Sequence, residues 1–202
     1  MNLFHQNDPA ENLLPKDGMV NYHSNLMSST TADHYFDSLL RNIDWKNDEI
    51  VIFGKRVVTK RKVAWYGDDQ LEYTYAKITK KALPWTRELI ELKELIQQST
   101  GEYFNTCLLN LYHNGSEGMG WHSDDEKELK NDCAIASISL GADRTFNFKH
   151  KDTKEMVSIL LQNGSLLLMR GETQKNWKHC LPPRKLITQP RINLTFRTIL
   201  PG

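Results

Sequence analysis

Residues 133–169 read CAIASISLGADRTFNFKHKDTKEMVSILLQNGSLLLM, and their texture is the strongest indication of the fold class. Short apolar runs recur along this stretch, and turn residues such as Gly141 separate them. The same texture extends outward to residues 106–112 (TCLLNLY) and 191–199 (RINLTFRTI). Many short strands separated by turns are typical of a β-sandwich or barrel. The sequence therefore predicts a jelly-roll core over residues 101–202.

The first hundred residues carry two helical patterns. In residues 31–43 the apolar side chains recur at helical spacing, and Ser29 or Thr30 is the expected N-cap. Residues 87–99 repeat the pattern after Thr86, which is the expected cap of a second helix. We expect both helices to pack on one face of a sheet. The predicted fold class is α+β, mainly β, with flanking helices around the jelly-roll core and an N-terminal lid.

The composition is that of a globular chain and excludes several classes of protein. In a chain of 202 residues, 26 Lys and Arg face 25 Asp and Glu, so the net charge of +1 does not indicate a globally basic nucleic-acid binder. No apolar run approaches the ~18 residues of a membrane span, and no signal peptide is visible. Three widely spaced cysteines fit neither a disulfide scaffold nor a zinc ribbon. We expect a single-domain monomer over residues 1–202, in which residues 1–100 form the helices and the lid.

The first chemical motif is His122-Ser123-Asp124. Alternate side chains of an extended segment share one face, so His122 and Asp124 can hold one cation. The pair alone is a weak signal, because a hydrogen-bonded surface pair has the same pattern. His179 would complete a set of two histidines and one carboxylate, which suits six-coordinate Fe(II) and is also accepted by zinc. The ligand types alone leave the choice of metal open.

A polar strand face favours iron over zinc. In residues 191–197, four polar side chains share one face of a predicted strand and three apolar ones share the other. An amphipathic strand in water has the same alternation, but Asn110 and Tyr112 repeat it just before the histidine motif. Guanidinium groups pair with carboxylates, so these side chains can line a pocket for a dicarboxylate such as 2-oxoglutarate, which a zinc hydrolase does not need. The four polar residues are Arg191, Asn193, Thr195 and Arg197.

Six pieces of the sequence occur together, namely residues 110–112, 120–126, 138–142, 164–169, His179 and residues 191–197. In combination they resemble the AlkB family of iron(II)- and 2-oxoglutarate-dependent nucleic-acid dealkylases. The resemblance covers about residues 50–200, and it departs from many members at Leu111. It implies a double-stranded β-helix that uses Fe(II), 2-oxoglutarate and O2. It also implies that His122, Asp124 and His179 bind the iron.

The resemblance assigns the polar strand face to 2-oxoglutarate. It implies that Arg191 grips one carboxylate region of the co-substrate and Arg197 the other. The residues expected to assist them are Asn110, Tyr112, Asn193 and Thr195.

Residues 55–81 have the composition of a nucleic-acid contact. They hold eight Lys or Arg against three acidic residues, a local charge of +5, and aromatic residues are interleaved. Positive charge suits phosphates and flat rings suit bases, although a solvated basic hairpin over core aromatics has the same composition. Arg144 and Lys149 are further candidates for contacts with phosphates.

In the AlkB family this region is the nucleotide-recognition lid. The resemblance implies that Tyr73 and Tyr75 line the pocket for the damaged base. It implies that Asp125, with Glu126 beside it, contacts the exocyclic amine of that base. Phe53 is the candidate wedge that fills the gap left in the stack by the extruded base, and it could equally be a core residue.

The implied activity is oxidative demethylation of 1-methyladenine and 3-methylcytosine in DNA, with release of formaldehyde and succinate. One alternative is an RNA, tRNA or protein demethylase or hydroxylase of the same fold, and the basic, aromatic lid favours nucleic acid over protein. Another is a non-enzymatic nucleic-acid-binding module with a vestigial iron site, against which the intact ligand set argues. The expected location is cytoplasmic, nucleoid-associated in a bacterium or nuclear in a eukaryote, without a membrane partner.

Overall fold

The computed structural model describes residues 8–52, 55–68, 71–75, 78–124, 129 and 133–200. The helices within these residues are α1 (Ser29–Asn42), α2 (Arg87–Thr100) and the short α3 (Thr173–Asn176). The strands are β1 (Met19–His23), β2 (Lys46–Ile52), β3 (Lys55–Gly67), β4 (Glu72–Tyr75), β5 (Ile78–Lys81), β6 (Thr106–Tyr112), β7 (Met119–His122), β8 (Ile135–Gly141), β9 (Arg144–His150), β10 (Met156–Leu161), β11 (Ser165–Arg170), β12 (Trp177–Leu181) and β13 (Arg191–Arg197).

The strands form two main antiparallel sheets and a separate two-stranded sheet. The larger sheet has seven strands in the order β1-β11-β8-β13-β6-β3-β2. The smaller one has four strands in the order β10-β9-β12-β7, and β4 pairs with β5 alone. From β6 to β13 the chain alternates between the two main sheets, apart from the β9–β10 hairpin within the smaller one, as in a double-stranded β-helix. The predicted jelly-roll core with flanking helices is confirmed, whereas the function of the lid stays a prediction.

The two long helices cover the outer face of the seven-stranded sheet. Leu39 of α1 and Leu92 of α2 are buried in one cluster with Leu194 and Phe196 of β13. The apolar alternation of residues 191–197 therefore faces the helices, which leaves the polar alternation on the inner face of the sheet.

The helix ends follow the capping chemistry of the sequence. Thr86 caps α2 by accepting from the Leu89 amide, and Gly101 ends that helix in the left-handed conformation with φ of 71°. The cap of α1 is Ser28, whose hydroxyl accepts from the Thr31 amide, rather than Ser29 or Thr30. Hydroxyl residues occupy four consecutive positions here, so residue type alone does not select the cap.

The space between the two main sheets has two parts, which we call the apolar half and the polar half. The apolar half is a buried cluster formed by strands of both sheets, in which Leu167 of β11 packs with Phe148 of β9 and Trp177 of β12. The polar half lies where Arg197 of β13 meets Asp124, which lies two residues after the end of β7. β12 contributes to both halves, with Trp177 in the apolar half and His179 in the polar half.

Strands from the first hundred residues extend the large sheet at both edges. β1 pairs with β11 at one edge, and β3 pairs with β6 near the other. The organisation as a single domain over residues 1–202 stays a prediction. Among the described residues, no helix is both long enough and apolar enough to cross a membrane.

Candidate iron and 2-oxoglutarate site

Pairing of β7 with β12 brings the two predicted histidine ligands together. His122 and His179 are cross-strand partners, and their Nε2 atoms lie 3.1 Å apart. The Oδ1 atom of Asp124 lies 3.7 Å from the first of these nitrogens and 3.8 Å from the second. The three ligand atoms all fall within 4.8 Å of one another. Within the described part of the chain, this is the one such cluster of His, Cys, Asp or Glu.

The donor set fits a divalent metal. Two ligand nitrogens about 2.1 Å from one ion lie roughly 3 Å apart, which agrees with the 3.1 Å between the two imidazoles. The Gly120 carbonyl lies 2.8 Å from Nδ1 of His122. Because a carbonyl only accepts, Nδ1 carries the proton and Nε2 offers its lone pair to the site.

His179 is kept neutral by its surroundings. Burial lowers the pKa of this imidazole to about 4, because the opposing attraction of Asp124 is smaller and His122 and Arg197 add repulsion. Phe146 stacks on the imidazole with ring centroids 5.3 Å apart and thereby fixes the plane of the ring. A neutral imidazole is the form that binds a metal, so His179 is ready to bind at neutral pH.

Asp124 is held as an anion by a cation from the opposite sheet. Arg197 Nη2 donates to Asp124 Oδ2 at 2.7 Å, while Oδ1 faces the histidines. Burial alone would raise the pKa of this carboxyl, but the positive charge of Arg197 and the two nearby imidazoles lower it to about 2. Arg197 therefore directly contacts an expected iron ligand, and its predicted contact with 2-oxoglutarate stays a prediction.

Arg191 is a buried cation whose surroundings suit the binding of an anion. It is 2% exposed, and its Nη2 donates to Ser139 Oγ at 2.9 Å, whereas its Nε has no hydrogen-bond partner. No carboxylate of the described residues lies within ion-pair distance of it. Burial lowers the pKa of Arg191 to about 10, so the group still carries its charge at neutral pH. A buried charge without a counter-ion is costly, so this guanidinium fits a carboxylate of a ligand.

The remaining predicted co-substrate residues lie on β6 and β13, side by side. Asn110 and Asn193 are cross-strand partners. The Oδ1 atom of Asn110 is buried without a hydrogen-bond partner, as expected of a group that a ligand completes. Asn193 instead donates to Ser137 Oγ at 2.7 Å and lies 3.3 Å from the hydroxyl of Thr195, which donates to its Oδ1. The ring of Tyr112 lies under Arg191, 5.6 Å from the guanidinium carbon.

The predicted substrate residues either lie outside the described residues or lie on a strand that is described by its backbone alone. Phe53, Asp125 and Glu126 lie outside the described residues. Tyr73 and Tyr75 lie on β4, where the backbone registers of the two residues face Lys80 and Ile78. Their roles in base recognition stay predictions.

Of the two further phosphate candidates, Arg144 is wrong for a surface contact. It is 1% exposed, and its Nη2 donates to the carbonyls of Glu117 at 2.8 Å and Pro182 at 3.0 Å. The guanidinium thus joins two loops beside the site. The amine of Lys149 lies 5.6 Å from the ring centre of Trp121, which is 41% exposed.

Sequence reasoning missed residues that support the site from neighbouring positions. Ser137 and Ser139 carry the hydrogen bonds of Asn193 and Arg191. A signal for them was present, because serines alternate with apolar residues along β8 and so share the inner face. Phe146 had a similar signal, since Phe146 and Phe148 alternate with polar residues along β9 and so share one face.

Comparisons with known proteins agree with this geometry. The chain matches the 2OG-Fe(II) oxygenase superfamily over residues 18–197. It is 39% identical over 187 residues to the DNA oxidative demethylase ALKBH2 of Bos taurus, which covers 87% of this chain and 67% of that protein. It is 41% identical over 180 residues to the alpha-ketoglutarate-dependent dioxygenase alkB homolog 3 of Bos taurus, which covers 84% of this chain and 62% of that protein.

A solved structure described as "The structure of OsALKBH1" is similar in fold. The TM-score is 0.61 at 12% identity, and the alignment covers 89% of this chain and 97% of the other. The superfamily match spans most of the residues that build the two sheets and includes all three expected metal ligands. This chain therefore belongs to the AlkB family of Fe(II)- and 2-oxoglutarate-dependent dioxygenases.

Proposed function

We propose that this protein removes N-linked methyl groups from DNA bases, in particular from 1-methyladenine and 3-methylcytosine. The reaction is an oxidation of the methyl group coupled to decarboxylation of 2-oxoglutarate, and it releases formaldehyde and succinate. The observation that carries the proposal is the meeting of His122, Asp124 and His179 at one point, beside a strand that carries Arg191 and Arg197.

Different residues of the site hold the metal and the co-substrate. Iron(II) held by His122, Asp124 and His179 supplies the oxidising chemistry with O2. The neutral imidazole of His179 and the anionic carboxylate of Asp124 need no proton loss at neutral pH before they bind the ion. Arg191 supplies the counter-charge for a carboxylate of 2-oxoglutarate. Arg197 neutralises the oxygen of Asp124 that faces away from the histidines.

The inner site also keeps water away from the reacting groups. Asp124 and His179 are buried, and Phe146 and Phe148 pack their rings against the imidazole of His179. Electrostatic contacts are stronger in such a water-poor site than at the surface. His122 is partly exposed, so substrate reaches the metal from its side of the site.

The choice of DNA as substrate has two supports. The relative in Bos taurus that is 39% identical is named a DNA oxidative demethylase. The local charge of +5 over residues 55–81 suits a phosphate backbone, and the interleaved aromatic residues suit bases. We assign base recognition to Phe53, Tyr73, Tyr75, Asp125 and Glu126.

The test is turnover of a panel of methylated oligonucleotides. Purified protein is incubated with Fe(II) and 2-oxoglutarate without air and is then exposed to O2. Single-stranded DNA, duplex DNA and RNA carry the same lesion and compete in one reaction that mass spectrometry follows. We expect DNA to lose its methyl groups with matching release of formaldehyde. Intact methyl groups on every DNA after full metal loading would contradict the proposal, and a strong preference for RNA would replace it with RNA demethylation.

We also propose that the protein acts as a monomer in the compartment that holds the DNA. This is the cytoplasm, at the nucleoid, in a bacterium and the nucleus in a eukaryote. Sedimentation velocity measured with and without a methylated oligonucleotide tests the oligomeric state. A stable dimer in the absence of DNA would contradict it.

A further inference from the structure

The short helix α3 reaches back to the metal site from the connection between β11 and β12. Gln174 of this helix accepts a hydrogen bond from the backbone amide of Asp124 through Oε1, at 2.9 Å. The two residues are 50 positions apart in the chain. Asp124 lies beyond the end of β7, so the strand ladder does not fix its backbone.

A second contact ties the same loop to the same connection. The hydroxyl of Ser123 donates to the backbone carbonyl of Trp177 at 2.9 Å. Trp177 is buried and stands two residues before His179 on β12. The loop that carries one expected iron ligand is therefore fastened to the segment that leads into another.

A side chain can position another group only if its own backbone is held in place. The backbone of Gln174 is held by its neighbours. The Lys151 amine donates to the Gln174 carbonyl at 2.9 Å. Neighbouring Thr173 is buried, and its hydroxyl accepts from the Met19 amide at 2.9 Å. The side-chain amide of Gln174 is held in turn by Met169, whose sulfur lies 3.3 Å from Nε2.

We propose that Gln174 is a positioning residue for the metal centre, because it holds the backbone of Asp124 while Arg197 holds the carboxylate. Arg197 holds only the Oδ2 side of the carboxylate. The amide contact of Gln174 restrains the other end of the residue, so that Oδ1 stays within reach of both imidazoles. Hydrogen-bond partners of metal ligands typically change metal affinity by about 10- to 100-fold. The inference rests on the proposed iron site and is independent of the proposed DNA substrate.

The experiment measures Co(II) binding to the full chain by anaerobic equilibrium titration. Gln174→Met keeps the length of the side chain and removes the strong acceptor, and we expect about tenfold weaker Co(II) binding or more. Gln174→Glu keeps an acceptor oxygen and should retain the affinity of the wild type. Lys175→Met changes the next residue of α3, whose side chain is 73% exposed, and should leave the affinity unchanged.

A second readout separates positioning from a merely structural role. The iron concentration that gives half-maximal turnover should rise in Gln174→Met, whereas kcat at saturating iron and the Tm of the metal-free protein stay close to those of the wild type. Unchanged Co(II) affinity, or a lower Tm without a loss of affinity, would overturn the proposal. Gln174→Asn, one methylene too short to reach the amide, gives the same comparison if the methionine variant does not fold. Failure of the wild type itself to bind Co(II) would contradict the iron site rather than the role of Gln174.

Discussion

The apolar and polar halves lie between the same two sheets, but their side chains differ in how far they are satisfied within the protein. β12 contributes Trp177 to the apolar half and, two residues later, His179 to the polar half. In the apolar half, side chains of the two sheets pack directly against each other. In the polar half, Arg191 Nε and Asn110 Oδ1 are buried without hydrogen-bond partners.

This difference indicates which half stabilises the fold and which half serves the reaction. Apolar side chains gain free energy simply by leaving water, so the apolar half needs nothing further. Polar atoms that lose water without gaining a partner cost free energy. We expect the polar half to recover that free energy when ligands bind, so a change in each half should have a different effect on stability and on ligand binding.

The largest expected effect comes from removing a metal ligand of the polar half. His122→Ala should abolish formaldehyde release, because two remaining ligands hold iron poorly. Oligonucleotide binding, followed by fluorescence anisotropy, should largely survive. His34→Ala removes an exposed histidine from α1 and should be fully active. Substantial turnover by His122→Ala at ordinary iron concentrations would break the assignment of the polar half as the metal site.

The next effect concerns the apolar half. Leu167→Ala should lower the free energy of unfolding by about 2 to 5 kcal/mol, because it leaves a cavity among buried side chains. Chemical denaturation measures this loss. The KM for 2-oxoglutarate should not change. Leu186→Ala, at a residue that is 98% exposed, should cost less than about 0.5 kcal/mol and serves as the control.

The free energy of unfolding should fall at acidic pH because His179 is buried in its neutral form. Its pKa of about 4 in the folded protein lies below the 6.5 of the free side chain, so the unfolded chain takes up the proton first. The contribution of His179 to stability is thus complete above pH 6.5 and is lost as the pH falls toward 4, by roughly 3 kcal/mol. Unfolding of the metal-free protein should show this slope, and His179→Asn should show a flatter one. Equal slopes over this pH range would contradict the assigned burial effect.

The smallest expected effect comes from replacing Arg191, which should weaken the binding of 2-oxoglutarate but should not weaken the fold. Arg191→Met should raise the KM for 2-oxoglutarate by about 10- to 100-fold, because a charged hydrogen bond to a carboxylate is lost. Without 2-oxoglutarate, the same variant should unfold at an equal or higher denaturant concentration, since a buried charge without an anion is removed. A clear loss of stability in the ligand-free variant would show that Arg191 already has a satisfied structural role.

The sequence could predict those parts of the site that depend on residue type and strand period. The spacing of His122 and Asp124 and the alternation of residues 191–197 are local features, and both produced the expected faces. Cap residues such as Thr86 are equally local, because the hydroxyl acts within one turn of the helix.

Relations between distant segments could not be predicted in this way. Nothing in the sequence around Gln174 indicates that its side chain meets the Asp124 amide, because the contact depends on how the β11–β12 connection crosses the site. The pairing of Arg197 with Asp124 joins opposite sheets. The prediction that Arg144 contacts a phosphate was wrong for a similar reason. No local sequence pattern indicates that the carbonyls of two loops bind this buried cation.

β1 makes the beginning of the chain harder to remove than its mixed composition indicates. It pairs with β11 from Met19 to His23, and the Lys16 carbonyl just before it accepts from the indole nitrogen of Trp177. A version shortened beyond His23 would expose the hydrogen-bonding groups of β11 as a bare sheet edge, which promotes aggregation. Truncation in search of a minimal catalytic fragment should therefore stop before β1.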